Sequence, residues 1–253
     1  MDKARAATPL VLLHGFAEDS SIWDRQKDYL KDKYRLIIPD LPGSGTAPLT
    51  NDTSMEGLAA TVKSRLDAEH IGRCIMVGHS MGGYVALAFA ELYPDKLKAL
   101  GLFHSTSYPD TEEKRANRKK SIEFIQKNGA APFIRQSIPN LFSEKSRHEH
   151  PQWVSDLIQR YSNFDPDVLI RYYEAMILRP DRSHILNNFG GAVLFIIGHH
   201  DNTVPMKASL QQCHIPSVAY IHILEDAGHM GMIEDGDKAG HILDNFLKDH
   251  CHE

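Results

Sequence analysis

The chain has 253 residues, of which 42% are hydrophobic and 24% charged, and its formal net charge is −5 at pH 7. A chain of this length and composition can bury a large core and is typical of one main globular domain, which argues against a mostly disordered protein. The acidic balance provides no basic surface for phosphate groups, so we predict no nucleic-acid partner.

The cysteine content and the N-terminal segment bear on the compartment. The three cysteines, Cys74, Cys213 and Cys251, are odd in number and far apart, so they do not indicate a disulfide framework. The apolar run "LVLL" from Leu10 is shorter than the core of a signal peptide and far shorter than a membrane span. We therefore predict a cytoplasmic protein without a membrane partner.

Along the chain, short apolar runs alternate with longer amphipathic stretches, which is typical of βαβ units around a buried parallel sheet. Helices are predicted near residues 21–31 and 54–70, and a buried helix follows Ser80 and ends at Pro94. The predicted strands begin at Leu10, Tyr34, Cys74, Leu97, Ala192 and Val218. This order predicts an α/β fold with a mostly parallel, doubly wound sheet of about six strands.

The alternation stops between the fourth and fifth predicted strands. Residues 105–180 contain no apolar run of strand type, only helical patterns such as "HPQWVSDLIQRYSNF". We therefore predict a core domain made of residues 1–104 and 181–253, interrupted by a helical insertion over residues 105–180.

The stretch "IMVGHSMGGY" places Ser80 between Gly78 and Gly82, at the end of one predicted strand and the start of a helix. A sharp strand-to-helix turn holds the serine in a strained backbone conformation, and the glycines let neighbouring backbone segments approach closely. Such a turn exposes the serine hydroxyl at the N-terminus of a helix, where negative charge is stabilised. The pattern predicts a nucleophilic serine.

A serine nucleophile needs a histidine base and an acid that orients the base. Asp201 follows the fifth predicted strand, and His229 follows the sixth. Because catalytic groups in open α/β sheets gather at the carboxyl ends of the strands, we expect these side chains to meet Ser80. Asp226 is a rival acid, but it lies only three residues before His229 and is less able to reach the far side of the ring.

With "GHSMGG" as the turn and the order Ser80, Asp201, His229, the chain resembles the α/β-hydrolase family from about residue 9 to residue 247. The segment "HGF" at residues 14–16 is similar to the oxyanion-hole loop of that family. The resemblance implies that the backbone N–H groups of Phe16 and Met81 bind the oxyanion and that residues 105–180 form a cap, or lid, over the site. No room exists for the antiparallel hairpin that often precedes the first strand, so we expect six parallel strands.

These residues predict a serine hydrolase that cleaves an ester, lactone or related acyl bond of a small molecule through an acyl-enzyme, without a metal or cofactor. A carbon–carbon bond hydrolase and a cofactor-free perhydrolase would use the same triad, and a non-catalytic ligand-binding protein could share the fold. Met230, Trp153 and Phe124 are candidates for the substrate pocket, although such residues at helical spacing are more often core. The sequence does not indicate an oligomeric state.

Overall fold

The computed structural model describes residues 8–251, so residues 1–7 and 252–253 of the predicted core domain lie outside the described residues. The sheet has the order β2-β1-β3-β4-β5-β6, and every neighbouring pair is parallel. Its strands are β1 (Leu10–Leu13), β2 (Leu36–Ile37), β3 (Cys74–His79), β4 (Leu97–Phe103), β5 (Ala192–Gly198) and β6 (Ala219–Leu224). This confirms the predicted α/β fold with a six-stranded parallel sheet.

Helices connect the strands and lie on both faces of the sheet. They are α1 (Asp24–Leu30), α2 (Met55–Ala68), α3 (Met81–Leu92), α4 (Glu112–Asn128), α5 (Ala130–Ser137), α6 (Glu144–Glu149), α7 (Pro151–Tyr161), α8 (Pro166–Leu178), α9 (Ser183–Asn188), α10 (Met206–Gln212), α11 (Gly231–Glu234) and α12 (Gly236–His250). Short 3₁₀ helices cover Ser20–Trp23, Pro94–Lys96 and Ile138–Leu141.

Local sequence explains where several of these elements begin. The Ser54 hydroxyl accepts a hydrogen bond of 3.0 Å from the Gly57 N–H and so caps α2 at the predicted position. Strand β2 is shorter than the predicted run from Tyr34, because it pairs only with β1 at the sheet edge and Pro39 follows without an N–H to donate.

Alternate residues of the strands enter two separate hydrophobic cores. In β1, Leu10 and Leu12 pack on one face of the sheet and Val11 and Leu13 on the other, and all four are fully buried. Since strand side chains alternate between faces, an unbroken apolar run is what a sheet covered on both sides requires. The two cores hold the sheet rigid and fix the positions of its strand ends.

The chain between β4 and β5 contains helices α4 to α9. Helix α4 packs against α5 and α8, and its buried Ile125 belongs to the same core as Phe133 of α5. The assignment of residues 105–180 to a separate cap domain stays a prediction. Over residues 8–251, no helix has both the length and the apolar character needed to cross a membrane.

Candidate active site

Ser80 occupies the turn between β3 and α3 with a backbone φ of 48° and ψ of −114°. A positive φ is costly for a serine and persists only where the surrounding structure enforces it. A Cβ at Gly78 would lie 2.2 Å from the carbonyl carbon of Gly82, and one at Gly82 would lie 2.5 Å from the His14 oxygen. The two glycines therefore permit the close backbone packing that holds Ser80 in this conformation.

Asp201 and His229 meet beyond the ends of β5 and β6. The Asp201 Oδ2 atom lies 2.8 Å from the His229 Nδ1, and Oδ1 accepts hydrogen bonds from the backbone N–H groups of Thr203 (2.8 Å) and Val204 (2.9 Å). Burial by itself raises the pKa of Asp201, but the charge and hydrogen bond of His229 outweigh it and lower the pKa. Asp201 is therefore an ionised acceptor that orients the imidazole.

Asp226, the rival acid, occupies a different environment. Its side chain is exposed, and its carboxylate pairs with Lys145 at 2.9 Å. His229 Nδ1 thus donates its hydrogen bond to Asp201 rather than to the aspartate that is nearer in sequence.

Ser80 and His229 line one cavity of about 180 Å³. Within residues 8–251, neither the Ser80 hydroxyl nor the His229 Nε2 has a hydrogen-bond partner, so both atoms are uncommitted. The other lining residues are Phe16, Ala17, Glu18, His79, Tyr84, Arg118, Phe133, Ile134, Ser137, Ile138, Leu141, Leu157, Tyr161, Tyr173, Met176, Thr203 and Met230. The cavity combines two reactive groups with a mainly apolar and aromatic wall.

The loop after β1 places Phe16 on the cavity wall. The His14 ring fixes this loop, because its Nε2 accepts from the Leu41 N–H at 2.9 Å and its Nδ1 donates to the Gly15 oxygen at 2.9 Å. In the described part of the chain, the backbone N–H groups of Phe16 and Met81 have no acceptor. Met81 opens α3, where N–H groups lack partners within the helix.

The three predicted pocket residues lie in different places. Met230 is fully buried and lines the cavity. Trp153 and Phe124 lie outside it: the Trp153 ring stacks on His150 at 4.0 Å, and Phe124 packs against the hydrophobic core. This corrects the sequence-based assignment of these two residues, because helical spacing does not reveal which face of a helix turns toward the site.

A buried pair that the sequence analysis did not predict lies beneath the nucleophile turn. Glu18 Oε2 lies 3.0 Å from the His79 Nδ1 and accepts from the Gly15 N–H at 2.7 Å. The His79 Nε2 lies 3.0 Å from the backbone oxygen of His229. Both ring nitrogens therefore face acceptors, which is the arrangement that an imidazolium needs.

The pKa values agree with a charged pair. Burial by itself lowers the pKa of His79, but the charge and hydrogen bond of Glu18 outweigh it and raise the pKa. Burial raises the pKa of Glu18, and the charge of His79 reverses this and lowers it. The pair links the loop that carries Phe16 to the backbone of His229.

His104, at the end of β4, is a second buried histidine with the opposite environment. Its Nδ1 lies 3.0 Å from the Gly198 N–H, and its Nε2 lies 3.2 Å from the Gly231 N–H. A neutral imidazole can accept at one nitrogen and an imidazolium at neither, so these amides favour the neutral ring. Burial holds the pKa of His104 well below its usual value, although Asp201 Oδ2 lies 3.5 Å away.

The residues that the sequence analysis missed share one property. Glu18 and His79 are 61 positions apart, and His104 lies far along the chain from Asp201, so no local spacing links them. The available signal was the presence of polar residues at the ends of apolar strands, as in "GLFHS". In the part of the chain that the structure describes, no group of three His, Cys, Asp or Glu side chains could hold a metal ion.

Comparison with known proteins gives consistent relatives. A thermophilic esterase from Thermogutta terrifontis superposes with a TM-score of 0.92 at 27% identity, covering 97% of this chain and 91% of that one. The 3-oxoadipate enol-lactonase 1 of Acinetobacter baylyi is 25% identical, with 96% of this chain and 89% of the relative covered. The 2-hydroxy-6-oxo-6-phenylhexa-2,4-dienoate hydrolase of Comamonas testosteroni is 26% identical, with coverages of 98% and 90%.

The family match extends over the site as well as the fold. Residues 8–236, which include the nucleophile turn, the inserted helices and the loop after β6, match the alpha/beta hydrolase fold family. With its six-stranded parallel sheet and its relatives named as hydrolases, esterases and lipases, the chain belongs to the α/β-hydrolase family and is an enzyme of hydrolase type.

Proposed function

We propose that this enzyme is a serine hydrolase that cleaves an ester, lactone or related acyl bond of a small molecule. The observation that carries the proposal is the 2.8 Å contact between His229 Nδ1 and Asp201 Oδ2, beside a cavity that the strained Ser80 also lines. A base held by a buried carboxylate, next to a serine hydroxyl that lines a cavity, is the arrangement that acyl transfer requires.

In the first half of the reaction, Asp201 keeps the proton on His229 Nδ1, so Nε2 is free to accept a proton from Ser80. The serine oxygen then forms a bond to the substrate's carbonyl carbon, and negative charge moves to the carbonyl oxygen. The N–H groups of Phe16 and Met81 stabilise this oxyanion. His229 returns its proton to the leaving alcohol as the bond to that alcohol breaks.

In the second half, water replaces the alcohol. His229 removes a proton from the water, whose oxygen bonds to the acyl carbon, and the proton then passes to Ser80 as the acid product leaves. The Ser80 oxygen must come within hydrogen-bond distance of His229 Nε2 for both transfers. Such contacts often shorten only when substrate is bound.

A carbon–carbon bond hydrolase is the second candidate, and the relative from Comamonas testosteroni favours it. A perhydrolase would use the same groups with peroxide in place of water. Incubation with a vinylogous diketone, and separately with an ester plus peroxide, distinguishes these activities by their products. If the enzyme turns over the diketone, or the ester with peroxide, faster than it hydrolyses simple esters, the proposed ester or lactone activity is wrong.

The test of the proposal is Ser80→Ala, assayed on a short p-nitrophenyl ester beside Ser64→Ala, an exposed serine on α2. We expect turnover to fall at least about a thousandfold in Ser80→Ala and to stay unchanged in the control. A fluorophosphonate probe should label the wild type at Ser80 only. Wild-type turnover in Ser80→Ala would refute the proposal.

The cellular location of the enzyme and its binding partners are also proposals. We propose a cytoplasmic location, supported by Cys74, Cys213 and Cys251, which are buried and free. A small-molecule substrate suits the size of the cavity, and the absence of nucleic-acid and membrane partners stays a prediction.

A further inference from the structure

The cavity wall contains one unusual group. Of the described residues that line the cavity, Arg118 is the only lysine or arginine. It projects from α4, within the inserted helices, and 17% of its side chain is exposed. A guanidinium in a mainly apolar wall is costly unless charged or polar partners compensate it.

Asp110 is the carboxylate that holds this arginine. Arg118 Nε lies 2.6 Å from Asp110 Oδ2, and Nη2 lies 3.3 Å from Oδ1. Burial raises the pKa of Asp110, but Arg118 and Arg179 together lower it below its usual value, so the carboxylate is ionised. Arg118 is therefore anchored from one side by a fixed negative charge.

The same carboxylate also serves a second arginine. Arg179 Nη1 lies 2.8 Å from Asp110 Oδ1, and the Arg179 guanidinium lies 3.9 Å from the centre of the Tyr84 ring. Two guanidiniums thus share one carboxylate, which leaves a net charge of +1 in the group. A bound anion would balance this charge, and the cavity is the side from which an anion can approach Arg118.

Arg118 also has donors to spare. Its Nε and Nη2 bind Asp110, whereas its Nη1 has no acceptor within residues 8–251. Nη1 and the second hydrogen of Nη2 together form a planar donor edge that a carboxylate fits in bidentate fashion, and hydrogen bonds between two charged groups are about twice as strong as neutral ones.

The position of Arg118 relates it to the reacting centre. Its guanidinium carbon lies 5.5 Å from the centre of the Tyr173 ring, and that ring stacks on Phe16 at 4.2 Å. The two distances, placed end to end, set an upper limit on the separation between Arg118 and the Phe16 ring. Since Arg118 and Phe16 also line the same cavity, an anion on Arg118 and a carbonyl held near the Phe16 N–H can belong to one small molecule.

We propose that Arg118 binds a carboxylate on the acyl side of the substrate, so that the preferred substrates are half-esters or lactones of short dicarboxylic acids. This rests on the proposed serine hydrolase activity. The alternative is that Arg118 only anchors α4 to Asp110. That structural role would not distinguish a charged substrate from a neutral substrate of the same shape.

The test compares the monomethyl esters of succinate, glutarate and adipate with their neutral amide counterparts, measured by methanol release. We expect wild-type kcat/KM to favour the charged member of at least one pair about tenfold or more. Arg118→Gln should remove this preference, mainly by raising KM for the half-ester, while kcat/KM for the neutral amide stays within about threefold. Arg118→Lys should keep part of the preference.

Arg115→Gln is the matched control, since Arg115 is exposed on the same helix three positions earlier. It should leave both substrates unchanged. Three outcomes would overturn the carboxylate site. The wild type could show equal kcat/KM for both members of every pair, or Arg118→Gln could lose kcat/KM equally on the charged and the neutral substrate. The third outcome is that Arg115→Gln removes the preference as Arg118→Gln does. A thermal unfolding curve for each variant identifies a loss of activity that is caused by misfolding. If Arg118→Gln is misfolded, the substrate preference of Arg118→Lys is compared with that of the wild type instead.

Ser80→Ala, assayed on the same substrates, separates the two proposals. If the wild type hydrolyses the neutral esters in a Ser80-dependent reaction without any preference for charge, the carboxylate site fails and the serine hydrolase stands. If Ser80→Ala hydrolyses them at the wild-type rate, or the wild type hydrolyses none, the proposed function fails and the carboxylate site fails with it.

Discussion

The strand ends and the inserted helices line the same cavity, but they are held in place differently. At the strand ends, backbone hydrogen bonds fix the side chains: the Ser80 N–H donates to the Phe103 oxygen at 2.9 Å, and two amides hold Asp201. On the inserted helices, ring contacts position the wall, such as the 5.9 Å edge contact between Phe133 and Tyr173. In the proposed mechanism, the catalytic groups are therefore held by backbone hydrogen bonds, and the residues that select the substrate are held by side-chain packing.

This difference predicts graded effects. A change at the strand ends should reduce turnover steeply, because hydrogen-bond geometry is lost at the reacting atoms. A change in the inserted wall should mainly alter KM, because packing can readjust around a substrate. Variants at the strand ends are therefore considered first, and a variant in the inserted helices last.

Asp201→Asn should cause the largest loss. An asparagine keeps the shape of the side chain but no longer holds the proton on His229 Nδ1, so we expect turnover of an ester substrate to fall about ten-thousandfold. Steady-state kinetics beside Asp226→Asn, an exposed carboxylate, check this. Equal losses in the two variants would contradict the assignment of the acid.

Glu18→Gln should have the next largest effect. It leaves His79 without its charged partner and weakens the hydrogen bond that Glu18 accepts from the Gly15 N–H. The proposed oxyanion loop, which carries Phe16, then loses its anchor. We expect turnover to fall about 10- to 100-fold with little change in KM, and the free energy of unfolding to fall by about 3 kcal/mol. Kinetics and chemical denaturation measure the two effects.

The pH dependence sharpens this prediction. The pKa of His79 is raised in the folded state, so its stabilising contribution is complete below the unfolded value of about 6.5 and is lost as pH rises through the folded value. The difference in free energy of unfolding between the wild type and Glu18→Gln should therefore increase as pH falls from 8.5 to 6.5. A constant difference would show that Glu18 and His79 do not form a charged pair.

His104→Asn should change the pH dependence in the opposite sense. The pKa of His104 is lowered in the folded state, so wild-type stability falls below about pH 6.5, where the unfolded histidine takes up a proton, by up to about 1.4 kcal/mol per pH unit. Asparagine tolerates the positive φ of 50° at this position and does not titrate. The variant should therefore lose less stability than the wild type between pH 7.5 and pH 5.

If the free energies of unfolding of the wild type and of His104→Asn fell equally between pH 7.5 and pH 5, His104 would not be held neutral. Because Asp201 and His104 are only 3.5 Å apart, the measurement uses unfolding curves rather than activity, which would also report changes at the proposed catalytic acid.

Phe133→Leu should have the smallest effect on turnover. It trims the aromatic wall of the cavity while Tyr173 and Phe16 remain stacked, so we expect KM to change about two- to fivefold and kcat to stay constant. Leu178→Ala, an exposed position at the end of α8, is the control and should change neither. A loss of kcat in Phe133→Leu larger than that of Glu18→Gln would break the proposed division of roles.

Local patterns predicted the fold well, and the candidate triad that they indicate stays a prediction. The mainly apolar runs of β1, β3, β4 and β5 indicate strands buried on both faces, and the strand ends then place Ser80, Asp201 and His229 along one edge. Strand β2 was predicted too long, since edge pairing depends on a neighbour that periodicity does not reveal.

Residues of the wall were harder to predict. Trp153 was chosen as a candidate for the substrate pocket, yet its ring faces His150 and the Arg25 guanidinium, whereas Arg118, which the sequence analysis did not single out, lines the cavity. An amphipathic helix shows which face is apolar but not whether that face meets a core or a cavity.

The sequence by itself determined the order of strands and helices, the strained turn at Ser80 and the strand-end positions of Asp201 and His229, because these depend on local periodicity and steric limits. Only the tertiary structure decided that His79 meets a carboxylate while His104 meets two amides, and that Arg118 shares Asp110 with Arg179. The charge of a buried group depends on the neighbours that folding brings to it from distant parts of the chain.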